Sequence, residues 1–281
     1  MFDLKISNGT IVDGSGRPAY VGDVAITGGT ISAIGPNLDG AARETIDATG
    51  LVVTPGWVDI HTHYDGQVTW DSLLDPSASH GVTTVVIGNC GVGFAPVRPG
   101  REAWLVELME GVEDIPGTAL HEGIQWSWET FPEYLDAIDA RQYSMDVAAF
   151  LPHAPLRVYV MGERGAEEVE PTDAEIAEMG EHVRAAIAAG AIGVSTSRSL
   201  NHKTLDGDYV PGTFANSAEL VGLAQAMVDA GGGLFEAVPS GETDDDRELV
   251  LGEIALLAEV SRNTGAPVSF LLVQSRGAPD L

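Results

Sequence analysis

The sequence predicts an α/β fold: a (β/α) TIM-type barrel that is incomplete, with about six of eight strands, preceded by a small N-terminal β-sandwich domain. Residues 1–54 contain only strand-like runs and turns. After Pro55 and Gly56, short apolar runs alternate with helical patterns, and six such runs occur where a closed barrel needs eight. We therefore expect a small β domain over residues 1–55, whose partner strands are absent, and a barrel over residues 56–281.

The first domain is predicted from alternation and from turn residues. Partial alternation of apolar and polar residues indicates strands over residues 3–7 and 20–27. Gly28 and Gly29 then separate two apolar runs by two residues, which is the spacing of a tight β-hairpin. A further apolar run covers residues 51–54. The pattern predicts a small β domain and indicates nothing catalytic.

The barrel strands are the short apolar runs that follow. We predict them over residues 57–61, 83–87, 147–151, 192–196, 233–238 and 267–273. Thr172 and Glu175 have the spacing of a capping box, and they start a helix that ends before Gly190. Two more helices are predicted over residues 217–231 and 248–264. A barrel of this kind holds its functional site at the carboxyl ends of its strands.

The composition excludes several classes of function. The chain has 42 acidic and 14 basic residues and a net charge of -28, and such a surface repels nucleic acids and anionic membranes. No apolar stretch is long enough to cross a bilayer, and the first residues lack the apolar segment of a signal peptide. Cys90 is the only cysteine, so an internal disulfide is impossible and we expect a cytoplasmic protein.

The most informative motif covers residues 56–63, with the sequence Gly-Trp-Val-Asp-Ile-His-Thr-His. Side chains alternate along a strand, so Asp59, His61 and His63 are predicted on one face, at the carboxyl end of the first barrel strand. Two imidazoles at this spacing can bind one metal ion, and Asp59 can orient one of them. The competing interpretation is a pair of histidines whose hydrogen bonds are simply satisfied at a strand end.

A second motif covers residues 80–96, His-Gly-Val-Thr-Thr-Val-Val-Ile-Gly-Asn-Cys-Gly-Val-Gly-Phe-Ala-Pro. Together with the first motif and with residues 107–134, it resembles the N-terminal portion of the N-acyl-D-amino-acid deacylases, or D-aminoacylases, of the amidohydrolase superfamily. The resemblance extends over essentially the whole chain. It implies a metal-dependent barrel enzyme that hydrolyses the linear amide of a small N-acyl amino acid.

The resemblance also implies ligands for the metal. His61 and His63 match the ligands on the family's first strand, and Cys90 matches a cysteine that takes the place of the carboxylated lysine of other superfamily members. A thiolate is a strong zinc ligand, so we expect zinc, with one ion rather than two. The competing interpretation of Cys90 is a small buried apolar residue, which is the usual fate of a single cysteine.

The sequence departs from the family pattern in three places. Relatives with a fuller site carry a histidine at the end of the fifth strand and another at the sixth, whereas residues 234–240 and 269–274 contain none. Glu236 on the fifth strand could supply a carboxylate ligand instead, with an ion-pair role as the equal alternative. The family's catalytic aspartate lies on an eighth strand, which we expect beyond Leu281, so residues 1–281 alone should have little deacylase activity.

Two polar residues at other strand ends are candidates for contact with the substrate. His153 follows the third strand, and Arg198 follows the fourth, where a guanidinium group suits a substrate carboxylate. A structural ion pair is the competing interpretation of Arg198. We expect the remaining histidines to be surface or packing residues: His80, His121, His182 and His202.

Two alternatives for the function stay open. One is a relative that hydrolyses another amide, or a cyclic amide, with a single metal ion, and a substrate panel would distinguish it. The other is a non-catalytic fragment, since an unclosed barrel exposes two sheet edges through which partner chains or further copies of the chain associate. Light scattering at several concentrations separates such a homo-oligomer from a monomer.

Overall fold

The computed structural model describes residues 1–113, 115–241 and 247–272. The chain forms two compact units, Met1–Trp57 and Val58–Leu281. A five-stranded sheet and a six-stranded sheet are present beside the helices, so the predicted α/β fold class is confirmed. No described helix combines the length and the apolar composition that a bilayer crossing requires.

The N-terminal unit is a sheet built on its long first strand. Its strands are β1 (Phe2–Ile11), β2 (Tyr20–Thr27), β3 (Thr30–Gly35), β4 (Ala42–Asp47) and β5 (Val52–Val53). β2 pairs antiparallel with both β1 and β3, and the predicted hairpin at Gly28 and Gly29 is confirmed because Thr27 pairs with Thr30. β4 and β5 run parallel to β1, along successive parts of its other edge.

The second unit contains a sheet whose strand order follows the chain. Its strands are β6 (Trp57–Asp59), β7 (Val82–Ile87), β8 (Asp146–Pro152), β9 (Gly193–Ser197), β10 (Leu234–Val238) and β11 (Val268–Phe270). The pairings from β7 to β11 are all parallel. The six predicted strands are therefore present, although β6 ends at Asp59 instead of His61. Val273, the predicted end of the last strand, lies outside the described residues.

Helices join successive strands of this sheet and cover it. The described helices are α1 (Glu102–Glu113), α2 (Gly117–Gly123), α3 (Phe131–Asp139), α4 (His153–Met161), α5 (Glu163–Ala166), α6 (Asp173–Ala189), α7 (Ser217–Asp229) and α8 (Arg247–Thr264). The predicted capping box at the start of α6 is confirmed, since Thr172 and Glu175 bond reciprocally. Strand and helix side chains share one buried core, which includes Val85, Ile87, Leu151, Val194, Phe235, Leu156, Met179, Val183, Leu220 and Leu223.

A glycine fixes the backbone directly after β7. Gly88 has a φ of 76°, in the left-handed region that favours glycine. A Cβ atom built on it would lie only 2.2 Å from the carbonyl oxygen of Phe150 on β8. The absence of a side chain therefore lets the end of β7 lie against β8 at the point where the chain turns toward Cys90.

We expect Gly88→Ala to lower the free energy of unfolding by roughly 2–5 kcal/mol, as the sum of left-handed strain of about 1–2 kcal/mol and overpacking of about 1–3 kcal/mol. Gly100→Ala is the matched control, because Gly100 also has a positive φ of 86° but has nothing within 4 Å of the added Cβ. Its cost should be the strain alone. Denaturant unfolding followed by circular dichroism measures both, and equal losses would contradict the importance of the Phe150 contact.

Candidate metal centre

The segment after β6 carries two histidines and is tied to the neighbouring strand. Because β6 ends at Asp59, His61 and His63 lie just beyond the strand on which they were predicted. Between them, Thr62 donates two hydrogen bonds to the Val86 carbonyl oxygen of β7, from its backbone amide at 3.0 Å and from its hydroxyl group at 2.7 Å. This double contact fixes the backbone from which both imidazole rings project.

Cys90 lies on the turn that follows β7. A short 3₁₀ turn covers residues 89–91, and Cys90 within it has a left-handed φ of 56°, which costs a non-glycine residue about 1–2 kcal/mol. Asn89 is fully buried, and its side-chain amide donates to the Thr62 carbonyl oxygen at 3.1 Å and to the Val86 carbonyl oxygen at 2.8 Å. The turn with Cys90 and the histidine segment are thus held by the same strand end.

Two buried polar side chains hold this turn from other directions. Asp65 Oδ1 accepts a hydrogen bond from the Gly88 amide at 2.7 Å, and burial raises the pKa of Asp65 to about 8. Ser195 on β9 accepts from the Gly91 amide at 3.1 Å and donates to the Gly88 carbonyl oxygen. Asp65 is not predicted from the sequence, although its position two residues after His63 continues the alternation of the motif.

These contacts bring His61, His63 and Cys90 together. Nε2 of His61 lies 3.2 Å from the Sγ atom of Cys90, and Nε2 of His63 lies 3.6 Å from it. One ligand atom from each residue lies within 4.8 Å of the other two. Two imidazole nitrogens and one sulfur are a donor set that zinc favours. The structure therefore places the three ligand candidates in one cluster.

Both imidazole rings are kept in the neutral form that binds metal ions. Burial lowers the pKa of His63 to about 3, and it also lowers the pKa of His61, where the charge of Asp59 opposes the effect. Both rings are therefore neutral at neutral pH and keep a lone pair for a metal ion. His63 Nδ1 is buried and makes no hydrogen bond within the described part of the chain. The residues present thus fit a zinc ion.

Asp59 contacts the histidine segment through the backbone. Its Oδ1 atom accepts a long hydrogen bond of 3.4 Å from the backbone amide of His61. The prediction was that Asp59 orients an imidazole ring, and the described contact is with the main chain instead. Asp59 therefore positions the segment as it leaves β6.

Glu236 lies inside the barrel, near the cluster but outside it. It is on β10, is 5% exposed and lines a cavity of about 270 Å³ together with His61. Burial raises the pKa of Glu236 to about 8, and the backbone amide of Cys90 faces the carboxyl group without a well-formed hydrogen bond. Among the described residues, the groups of mutually close ligand atoms do not include Glu236. Its role as a ligand stays a prediction.

Arg198 forms a buried ion pair, which was the competing interpretation of this residue. Its Nε and Nη2 atoms donate to the two carboxylate oxygens of Glu253 on α8, at 2.5 and 3.0 Å, and Nη1 donates to the Ala215 carbonyl oxygen at 2.8 Å. Only 9% of Arg198 is exposed. With all three guanidinium nitrogens engaged, the predicted contact with a substrate carboxylate is not supported.

His153 is enclosed in a buried network. Its Nδ1 atom lies 2.9 Å from the Thr196 hydroxyl group, and its Nε2 atom lies 3.1 Å from Glu219 Oε1. Arg157 Nε donates to the same Glu219 oxygen at 2.8 Å. The side chain of His153 has no exposed surface, and both of its ring nitrogens are engaged. The first residue of α4 thus faces the core, and the contact of His153 with substrate stays a prediction that these contacts do not support.

Two residues that are not predicted for the site lie beside the cluster. Glu113, the last residue of α1, places its Oε2 atom 3.3 Å from His63 Nε2. His202, in the loop after β9, was expected to be a surface or packing residue, but one of its ring nitrogens lies within 4.8 Å of ligand atoms of both Cys90 and Glu113. The available signal was the position of His202 in a loop after a strand end.

The fold and the cluster together define the class of protein. Nitrogen and sulfur donors meet at the carboxyl ends of parallel strands, where (β/α) barrels hold their functional groups. The chain belongs to the amidohydrolase family, whose model matches residues 44–280. The resemblance predicted from the two sequence motifs is thus confirmed.

Similarity to individual members supports this family assignment. D-aminoacylase of Alcaligenes xylosoxydans xylosoxydans is 32% identical over 279 residues, which cover 99% of this chain and 52% of that protein. A solved D-aminoacylase, described with a binuclear metal center, has a TM-score of 0.78 at 29% identity, covering 98% and 52% of the two chains. N-acyl-D-glutamate deacylase from Bordetella bronchiseptica, solved with zinc and a phosphonate inhibitor, has a TM-score of 0.72 at 32% identity, covering 95% and 50%. The chain spans about half the length of these relatives.

We expect Arg198→Ala to destabilise the protein by about 3–5 kcal/mol, because Glu253 would keep a buried charge without its partner. The double variant Arg198→Ala/Glu253→Ala should lose less stability than the sum of the two single variants, as measured by denaturant unfolding. Arg184→Ala is the control, since the ion pair of Arg184 with Glu181 is exposed and should matter little. Additive losses at Arg198 and Glu253 would speak against a structural ion pair.

Proposed function

We propose that the chain supplies the metal-binding part of an enzyme that hydrolyses linear amides, with small N-acyl-D-amino acids as substrates and zinc as the metal. The observation that carries the proposal is the convergence of His61, His63 and Cys90 in a member of the amidohydrolase family. Similarity to a D-aminoacylase and to an N-acyl-D-glutamate deacylase over nearly the whole chain supports the substrate class.

The three clustered residues would hold one zinc ion, His61 and His63 through neutral imidazole nitrogens and Cys90 through its thiolate. A zinc ion held by these residues would supply Lewis acidity, which polarises an amide carbonyl group and lowers the pKa of water to roughly 7. Thr62 and Asn89 keep the donor atoms at a fixed separation through their shared contact with Val86. Cys90 must release its proton to bind, so zinc affinity should fall in acid.

Other expectations from the sequence stay predictions. They are the division into a β domain over residues 1–55 and a barrel over residues 56–281, and the cytoplasmic location. The ligand role of Glu236 belongs with them.

We expect His61→Ala/His63→Ala to lose one zinc ion per chain relative to the unchanged protein, because two of three ligands are removed. Metal content is measured by mass spectrometry after zinc loading and removal of unbound ions. His80→Ala is the matched control, since His80 is exposed and its ring nitrogen Nδ1 lies at hydrogen-bond distance from the Pro76 carbonyl oxygen, away from the cluster. An unchanged zinc content in a folded double variant would refute the proposed site.

A substrate panel tests the reaction. We expect low turnover by the zinc-loaded chain, because the family's catalytic aspartate is expected on a later strand. This turnover should favour N-acyl-D-amino acids over their L-enantiomers and over cyclic amides such as hydantoins. Release of the free amino group is the measurement, and the His61→Ala/His63→Ala variant should show none. A preference for cyclic amides would favour the alternative enzyme class, and a preference for L-enantiomers would overturn the proposed substrate.

A further inference from the structure

A second group of potential metal ligands adjoins the first. Cys90, Glu113 and His202 each offer a ligand atom, and these atoms lie within 4.8 Å of one another. Neither Glu113 nor His202 comes from a barrel strand, since one ends α1 and the other lies in the loop between β9 and α7. We propose that these three residues form a second site for a divalent transition metal, which shares the Cys90 sulfur with the site of His61 and His63.

The spacing of the ligand atoms suits a single ion. Zinc binds sulfur at about 2.3 Å and nitrogen or oxygen at about 2.0–2.2 Å in a tetrahedral arrangement, so two of its ligand atoms lie about 3.5 Å apart. Atoms within 4.8 Å of one another can therefore bind one ion after the side chains move closer by about 1 Å. The donor set of one thiolate, one carboxylate and one imidazole is also one that zinc accepts.

The position of Glu113 in its helix favours a cation beside it. The C-terminal end of a helix carries a partial negative charge, which makes a carboxylate at this end unfavourable. Glu113 is the last residue of α1, and the last turn of that helix contains no basic residue. The Glu113 carboxylate is also held toward the cluster, with Oε2 at 3.3 Å from His63 Nε2. A metal ion at this place would interact favourably with both the carboxylate and the helix end.

His202 is held in the orientation of a ligand. Its Nδ1 atom lies 2.8 Å from the hydroxyl group of Ser197, the last residue of β9, and this contact fixes the ring. In the proposed site the ion would bind the other ring nitrogen, Nε2, and a second contact of this kind is usual for metal-binding histidines. The loop itself is closed just after His202, where Lys203 pairs with Tyr209 and its ammonium group lies 4.6 Å from the centre of the Tyr209 ring.

This inference rests on the proposed function only through Cys90, which both sites share. The two sites therefore predict separable losses of metal. The unchanged chain should bind two ions. The His61→Ala/His63→Ala variant should keep only the ion at Cys90, Glu113 and His202. The Glu113→Gln/His202→Ala variant should keep only the ion at His61, His63 and Cys90.

Cobalt titration of the metal-free chain tests this, because cobalt(II) bound to a thiolate gives a charge-transfer band in the near ultraviolet. We expect two cobalt ions per chain, and one in Glu113→Gln/His202→Ala. The His61→Ala/His63→Ala variant should also bind one cobalt ion and retain the charge-transfer band. A variant with all four substitutions should bind no cobalt. Glu107→Gln/His80→Ala is the control with two ions, since Glu107 is an exposed residue of the same helix.

The remaining outcomes separate the two proposals. If Glu113→Gln/His202→Ala binds as many ions as the unchanged chain, the second site is refuted while the first stands. If the unchanged chain binds no cobalt, both are refuted. Near-ultraviolet circular dichroism checks that each variant is folded, and His202→Gln alone replaces the double variant should that one unfold. Two ions in His202→Gln would equally refute the second site.

Discussion

The backbone carbonyl group of Val86 accepts hydrogen bonds from three donors, and these belong to the two segments that carry the candidate ligands. The amide and hydroxyl groups of Thr62 hold the histidine segment, and the side chain of Asn89 holds the turn with Cys90. A carbonyl oxygen has two lone pairs, so three donors saturate it. The distance between the imidazole rings and the thiol is therefore set by the end of one buried strand, and little is left to the flexibility of long side chains.

Features that depend on neighbours in the sequence were predictable. The hairpin at Gly28 and Gly29, the capping box of α6 and the six barrel strands each follow from a local pattern, and the structure has all of them. The cluster of His61, His63 and Cys90 is nearly as local, because two adjacent parallel strands end on the same side. The strand was predicted to reach His61, whereas β6 ends at Asp59. The prediction was too long because the alternating pattern in the sequence continues past Asp59.

The roles of the other polar residues depend on which helix packs beside them, and no local pattern reveals that. Arg198 meets Glu253 of α8, and His153 meets Glu219 of α7, so both are used to satisfy buried carboxylates. Burying a charge is costly unless it is paired, which is why polar groups at strand ends so often serve the fold. Glu113 shows the converse, since it reaches the cluster from the end of a helix, with its carboxylate beside His63.

Cys90 is the only cysteine of the chain, and only 3% of it is exposed. A thiol enclosed in this way reacts with an alkylating reagent only after the turn around it has opened. The rate at which Cys90 is alkylated therefore reports how often the end of β7 opens locally. No probe has to be introduced, and no other thiol contributes to the signal. The chain carries a natural reporter of local unfolding at the place where its proposed chemistry is located.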